Sequence, residues 1–325
     1  MRRCWWLVVV VALFAVSASA VEVTSVTPGS GPASGGTKVT LKGDFAGWPY
    51  GVIFGGIGAA TERVDDHTLV ATTPVHLPGK ARIALFEYDI VLGTKFEFTF
   101  EGPVPEQFER LLLPVFTPPT PGAFGSVFQT ELRMMRKQQT SVGFFGIAQP
   151  CFFAFCTWDY VNRSYELGHF PNGVKPDNFK YEGTPGRFVY VSREKLDAFA
   201  ASLRVRDVTR SELNFGTEVP IVRSDRFATR IVLQGVPTDP RFRSRLLLYA
   251  ADRADVAITV EGRAPVTRTL EAGADIFAPA YADFSDFPIG AAPVNVTIDS
   301  AVPIWALVSV TNNDTQLITT ITPQP

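Results

Sequence analysis

Histidine and cysteine each occur only three times in 325 residues, and charged residues make up just 19% of the chain. His67, His76 and His169 form no H-E-x-x-H motif; Glu166-Leu167-Gly168-His169 lacks that spacing and lies in a Gly- and Pro-rich stretch rather than on a helix. No G-x-S-x-G element is present to lift a serine nucleophile onto a sharp turn. Beyond the first twenty residues no apolar run is long enough for a membrane-spanning helix, so stable membrane insertion of the mature chain is not expected. A dominant charge sign is missing as well. Thirty basic residues face 32 acidic ones, and without Arg2 and Arg3, which lie in the leader described next, 28 face 32 for a net charge of −4. Nucleic acid is therefore not an expected partner. Nor is the chain poor in apolar residues: 46% are hydrophobic, enough to bury a core and to exclude general disorder.

What is present begins with a leader. Met1-Arg2-Arg3 is a positive start, Trp5 to Val16 carries no charge, and Ser17-Ala18-Ser19-Ala20 supplies the small residues of an A-x-A cleavage site. Residues 1–20 are read as a secretory signal peptide, with the mature chain beginning at Val21. The expected location is extracellular, at the cell surface or in a periplasm. Cys4 precedes the apolar run, whereas a lipid-modified cysteine would have to follow it. Export leaves Cys151 and Cys156, four residues apart between them, and in an oxidising compartment they are expected to form a disulfide; two buried free thiols are the alternative. Two cysteines with no nearby histidine do not meet the four-ligand habit of zinc, so neither metal nor cofactor is expected there.

The 26 glycines, 25 prolines and 26 phenylalanines favour sandwiches with many turns over helical bundles. The fold class is accordingly all-β. From Val21 to Gly102 the expected strands are Val23–Val26, Lys38–Lys42, Gly51–Phe54, Thr68–Thr72, Arg82–Glu87 and Lys95–Phe100, the content of an immunoglobulin-sized sandwich. Gly35 and Gly36 permit the turn that launches the second of them, and Pro28 and Pro32 stiffen the chain before it.

Those landmarks also carry a family likeness. Val26-Thr27-Pro28-Gly29-Ser30-Gly31-Pro32-Ala33-Ser34-Gly35-Gly36-Thr37 is followed by Val39-Thr40-Leu41-Lys42-Gly43-Asp44-Phe45, Val52-Ile53-Phe54-Gly55-Gly56, Thr68 to Pro74 and Pro78-Gly79. In this order they resemble an IPT/TIG domain over residues 21–102, which implies an immunoglobulin-like binding or spacer module of the kind found in cell-surface receptors and secreted bacterial polysaccharide-active proteins.

Residues 103–107 are the expected linker. Residues 108–325 are expected to build either one large β-sandwich or two smaller ones meeting near 207–213. Leu113-Pro114-Val115-Phe116 with Phe128 to Leu132 is echoed by Val219-Pro220-Ile221-Val222 with Phe227 to Ile231, which motivates the division. One helix is expected over Glu194–Leu203, where Leu196, Phe199, Ala200 and Leu203 share a face. The C-terminal run Thr315 to Thr322 reads as a strand. It either pairs within its own sheet beside Ile304–Val310 or adds to a neighbouring copy, which would give self-assembly.

The segment from Cys151 to Tyr165 is the most unusual: six aromatics, including Trp158 and Tyr160, lie beside Asp159, Asn162 and Arg163. A disulfide-braced loop of this kind can stack on sugar rings or anchor a protein partner, and a hydrophobic hairpin is the plainer alternative. Trp158, Asp159, Tyr160 and Arg163 are the candidate ligand contacts. Arg204 and Arg206, and Arg241, Arg243 and Arg245, each alternate onto one strand face, as acid-binding sets or as an ordinary solvent face. Asp283 and Asp286 leave a weak calcium site open. The functional expectation is a secreted, non-enzymatic structural or adhesion protein whose partner is a protein or polysaccharide at the cell surface, with a carbohydrate-binding protein using the Trp158 loop as the alternative.

Overall fold

The computed structural model describes residues 22–46, 51–87, 90–138, 142–147, 165–167, 185–210 and 215–324. Among them the regular structure is almost entirely strand, with short 3-10 turns besides.

The first eight strands are β1 (Val23–Thr27), β2 (Ser30–Pro32), β3 (Lys38–Gly43), β4 (Gly51–Phe54), β5 (Ile57–Asp65), β6 (Thr68–Thr72), β7 (Gly79–Glu87) and β8 (Ile90–Glu101). They hydrogen-bond in the order β1-β3-β6-β5-β4-β7-β8-β2. Strand β5 joins the two layers, pairing with β4 through Ile57–Ala59 and with β6 from Ala60 onward. The sequence KVTLKG of β3 alternates, so Val39 and Leu41 point inward and its lysines outward. Between the layers Phe54 meets Phe98 edge-on at 5.5 Å and Phe100 at 6.2 Å, the geometry that aromatic quadrupoles favour. Gly35 takes φ +78°, and a Cβ there would stand 2.7 Å from the Pro74 carbonyl, so the turn before β3 requires glycine on two counts. The expected strands appear at their places. Strands β2 and β5 escape sequence reading because SGP has no strand propensity and IGAATERVD is exposed along most of its length.

The second set contains β9 (Phe108–Leu113), β10 (Thr120–Pro121), β11 (Val127–Arg136), β12 (Val142–Phe145), β13 (Tyr165–Leu167), β14 (Arg187–Ser192), β15 (Phe199–Asp207), β16 (Thr217–Val219) and β17 (Val222–Arg223). Two antiparallel sheets result, β10-β11-β15-β16 and β13-β12-β14-β9-β17. Residues 217–223 thus add one strand to each sheet, and the chain leaves this sandwich after Arg223. The expected helix over Glu194–Leu203 is not formed. Arg193–Ala198 makes a 3-10 turn and Phe199 begins β15, which pairs with β11 from Phe199↔Arg136 to Asp207↔Phe128. Leu203, Val205 and Asp207 alternate inward there, and that continuous ladder overrides the short helical periodicity.

The third set is β18 (Ala228–Val236), β19 (Phe242–Ala250), β20 (Ala254–Val260), β21 (Val266–Leu270), β22 (Ala280–Phe284), β23 (Val294–Asn312) and β24 (Ile318–Ile321). The strand expected at Ile304–Val310 is the second half of one 19-residue strand, β23. Its first half pairs with β20 and β18, its second half with β19 and β24, and the exposed Ala301-Val302-Pro303 between them turns the chain from one layer to the other. Proline is tolerated at such a bend because no ladder donor is required of it. The C-terminal strand pairs inside its own sheet, Val308↔Ile321 through Thr311↔Ile318.

Strand β19 explains how the sets join. Leu246, Leu248 and Ala250 face Val256, Ile258, Val296 and Val308 inside the third set, whereas Leu247 and Tyr249 face the opposite way. With Trp305 and Leu307 of β23 they enter the same core as Phe144, Phe188 and Leu203 of the second set, and Leu77 of the first set reaches that core too. Full burial of such a side chain is worth ~1.5–3 kcal/mol, so four of them weld the layers firmly.

Candidate functional site

Among the described residues no group of three or more His, Cys, Asp or Glu side chains could hold a metal ion, and no helix is long and apolar enough to cross a membrane. The acids that invite functional reading are each engaged locally. Asp65 caps its own turn: the backbone N–H of His67 donates to it at 2.7 Å and the Thr68 hydroxyl at 3.1 Å, and these bonds hold its carboxyl below the usual range. His67 is exposed, with Nδ1 3.1 Å from the Gly43 carbonyl. His76 is buried where the first and second sets meet, stacked on Phe100 at 4.5 Å and edge-on to Phe145 at 5.1 Å, with Nδ1 2.8 Å from the Leu77 carbonyl. Asp283 and Asp286, the pair left open for calcium, are neutralised by Arg245 and Arg263 respectively, which removes the spare charge that a cation would need.

Two buried carboxylates anchor the second set. Glu109 receives Arg193 at 2.6 Å and the Ser224 hydroxyl at 2.7 Å, joining the start of β9 to the exit of the sandwich. Arg193 also donates to the Glu106 carbonyl at 2.8 Å, which ties the segment between β8 and β9 to the second set. Asp207 ends β15. Burial opposes its ionisation, but hydrogen bonds from the Thr209 hydroxyl, Arg210, the Thr209 amide and the Val127 amide outweigh that cost and lower its pKa to about 2.

From Asp207 a polar chain crosses to the C-terminal hairpin. Arg210 pairs with Asp207 at 2.5 Å, donates to Ser126 at 2.7 Å and to the Phe124 carbonyl at 3.0 Å. Ser126 lies 3.5 Å from Gln316 Oε1, which accepts from Arg243 at 2.9 Å. Arg243 also binds Asn313 and lies 5.5 Å from the centre of the Phe124 ring. Ser126, Asp207 and Gln316 are buried, and each polar atom in this chain has a partner, as burial demands. Sequence alternation singled out Arg243 and Arg245; Ser126, Arg210, Gln316 and Phe124 gave no signal, because their proximity depends on the crossing of two sheets.

The sequence-derived candidates Trp158, Asp159, Tyr160 and Arg163, like Cys151, Cys156, His169 and residues 1–20, lie outside the described residues. The stretch leaves after Ile147 and returns at Pro185, with β13 at the edge of the sheet beside β12. At one flank Gly146 has φ +87°, and a Cβ would stand 2.6 Å from the Phe188 carbonyl and 2.7 Å from the Phe277 ring; at the other, a Cβ on Gly186 would stand 2.5 Å from the Tyr249 ring. Arg187 donates to the Gly146 carbonyl at 2.5 Å, closing the base. Tyr190 beside it donates to the Ile276 carbonyl at 2.9 Å, and burial raises the pKa of its phenol. Gly146 and Gly186 are therefore each packed against an aromatic side chain of the third set.

The remaining arginines separate. Arg204 and Arg206 lie on the outer face of β15, while Arg241 is paired with Asp239 at 2.8 Å and Arg245 with Asp283.

No curated protein matches the sequence. Among solved structures, a gamma-CGTase from alkalophilic Bacillus clarkii shares 18% identity over 63% of this chain and 25% of its own, with a TM-score of 0.22. A Bacteroides thetaiotaomicron protein of unknown function shares 15% over 93% of this chain and 60% of its own, at a TM-score of 0.24. An Escherichia coli adhesin shares 8% over 94% of this chain and 97% of its own, at 0.21. The chain thus spans a quarter of the first and three-fifths of the second, and overlaps at this level say nothing of activity. The IPT/TIG family, by contrast, matches residues 22–101, the span of strands β1 to β8. With its phenylalanine core and its Gly-Gly turn before β3, that segment is an IPT/TIG domain.

Proposed function

We propose that the protein is an exported, non-enzymatic structural or adhesion protein of the cell surface, in which joined β-sandwiches form a stiff body. The observation that carries this reading is the shared core: Leu77, Phe188, Leu203, Tyr249 and Trp305 belong to three successive sets of strands yet pack in one apolar cluster. Flexible tethering of the second set to the third would leave each with its own closed core, as relative motion is the default for modules with small, polar contacts. An IPT/TIG module at one end and residues 103–107 as its tie to the rest suit a spacer. The leader, a positive start followed by an uncharged apolar run and small residues ending at Ala20, supports export. Protein or polysaccharide at the cell surface is the partner class, and the clamped flanks Gly146 and Gly186 favour a carbohydrate-binding use of the Trp158 loop as the second reading, because a stacking platform must be held still.

Cell fractionation with surface labelling of intact cells tests the location, and N-terminal sequencing of exported material is expected to begin at Val21. Small-angle scattering of the mature chain tests the stiffness, with one compact profile expected. Cytosolic retention of intact Met1 would overturn export, and a profile requiring freely jointed modules would overturn the scaffold.

A further inference from the structure

Ser126 and Gln316 are 190 positions apart in sequence and meet in the interior, where the residue before β11 reaches the hairpin between β23 and β24. Each is 1% exposed. Their contact is a poor hydrogen bond: Ser126 Oγ stands 3.5 Å from Gln316 Oε1, whereas hydroxyl donors settle at ~2.5–3.0 Å. It is also the approach of a nucleophile to an acyl group, and the side chains around it are those that such a pair needs.

The acyl group is fixed in one orientation. Gln316 takes φ 59° in the hairpin turn, and its Nε2 donates to the backbone carbonyls of Asn312, at 3.3 Å, and Asn313. Oε1 is therefore the atom turned toward Ser126. Arg243 donates to that oxygen at 2.9 Å, the distance at which a donor stabilises an oxyanion. Asp314, the acid of the same turn, is exposed and acts on Arg241. On the other side Arg210 Nη1 donates to Ser126 Oγ at 2.7 Å, which favours loss of the hydroxyl proton, and the same nitrogen is held by Asp207 at 2.5 Å. Burial strengthens the effect of both guanidinium groups and keeps water from the acyl carbon.

We infer that Ser126 and Gln316 join as an intramolecular ester. Ser126 Oγ bonds to Gln316 Cδ, and the hydroxyl hydrogen, already directed at the amide, passes to it. The Cδ–Nε2 bond then breaks, and the nitrogen leaves as ammonia with that hydrogen and its own two. No oxidant, water or cofactor is consumed. The link closes a loop of 190 residues and fastens the second set to the last hairpin of the third, a restraint that acts chiefly on the unfolded chain. It goes beyond the surface-protein reading and does not depend on it.

Mass spectrometry of the purified chain from Val21 to Pro325, reduced and unfolded, tests it. The expected mass is about 17 Da below that of the sequence, the ammonia lost. Proteolysis should give one species joining the peptides that carry Ser126 and Gln316, and hydroxylamine should part them. Ser126→Ala and Gln316→Leu should each abolish the loss, and Arg243→Gln should slow it at least tenfold. A wild-type chain at its full sequence mass would overturn the inference, and so would an equal loss in Ser126→Ala, since the ammonia would then come from another amide. The wild-type measurement decides even where a variant fails to fold. Absence of the ester leaves the stiff body standing, because that rests on the shared apolar core, and failure of export leaves the ester standing.

Discussion

The IPT/TIG domain and the C-terminal set of strands are both sandwiches, but they use their sheets differently. In β3 of the first, KVTLKG buries alternate residues only, so one face meets the core and the other meets water. In β19 of the last, Leu246 to Ala250 are buried without a break, because Leu246 and Leu248 fill one core while Leu247 and Tyr249 fill the next. Alternation marks a module that closes on itself, and continuous burial marks a sheet enclosed on both sides. The N-terminal domain is joined through a small contact around His76 and Leu77, whereas the C-terminal set is a layer of its neighbour's core.

Separating the pieces is the harshest way to break that contrast. Residues 21–102 alone are expected to fold and melt cooperatively, whereas residues 108–224 without the third set are expected to be unfolded or aggregated, since the face that meets Tyr249 and Trp305 would be open. Circular dichroism melts of the two fragments check this, and a cooperatively folded 108–224 fragment would mean that the shared core is dispensable.

Next in size are single truncations. Tyr249→Ala and Phe54→Ala should each cost about 3–5 kcal/mol, the usual loss for a large buried aromatic. In scanning calorimetry Phe54→Ala should shift only the transition of the IPT/TIG domain, while Tyr249→Ala should lower the transition of everything after residue 108. Movement of a single common transition by both would erase the distinction.

A smaller effect is expected at Asp207, which couples the second set to the hairpin of the third. Its folded pKa of about 2 lies below the ordinary aspartate value of 3.8, so its contribution is fully present above 3.8 and is lost as pH falls toward 2. Urea midpoints of the intact chain should drop between pH 4 and 2. Asp207→Asn should cost about 2 kcal/mol at neutral pH, in the range for hydrogen bonds to a charged group, and should lose that part of the acid dependence. An acid profile identical to wild type would show that other carboxylates govern the window.

Least of all should matter the outer ion pair Arg230–Asp299, 3.1 Å long and mostly exposed. Arg230→Ala is expected to change stability by less than about 0.5 kcal/mol, as surface pairs do. A larger loss in chemical denaturation would indicate that the outer edge strand β18 is held by more than its inward Ile231 and Leu233.

Legibility in the sequence followed the same contrast. The strands of the IPT/TIG domain were readable because alternation and glycine turns are local, whereas β5 was missed because its exposed, polar residues leave no period. Glu194–Leu203 read as a helix since four apolar residues fell on one helical face; only pairing with β11 makes it a turn and a strand. The candidate residues around Trp158 stand out by density of aromatics, a local property. Phe124, Ser126, Arg210 and Gln316 are far apart in sequence and individually ordinary.

Short-range signals are enough for the class of the elements and for the IPT/TIG domain, because propensity, period and turn chemistry act within a few residues of each other. Tertiary structure alone decided which face of β19 meets which core, that β23 is one strand serving two layers, and that Phe124 stands exposed over Arg243. Those outcomes depend on contacts between residues a hundred positions apart, where packing energy from the whole core overrides any local preference.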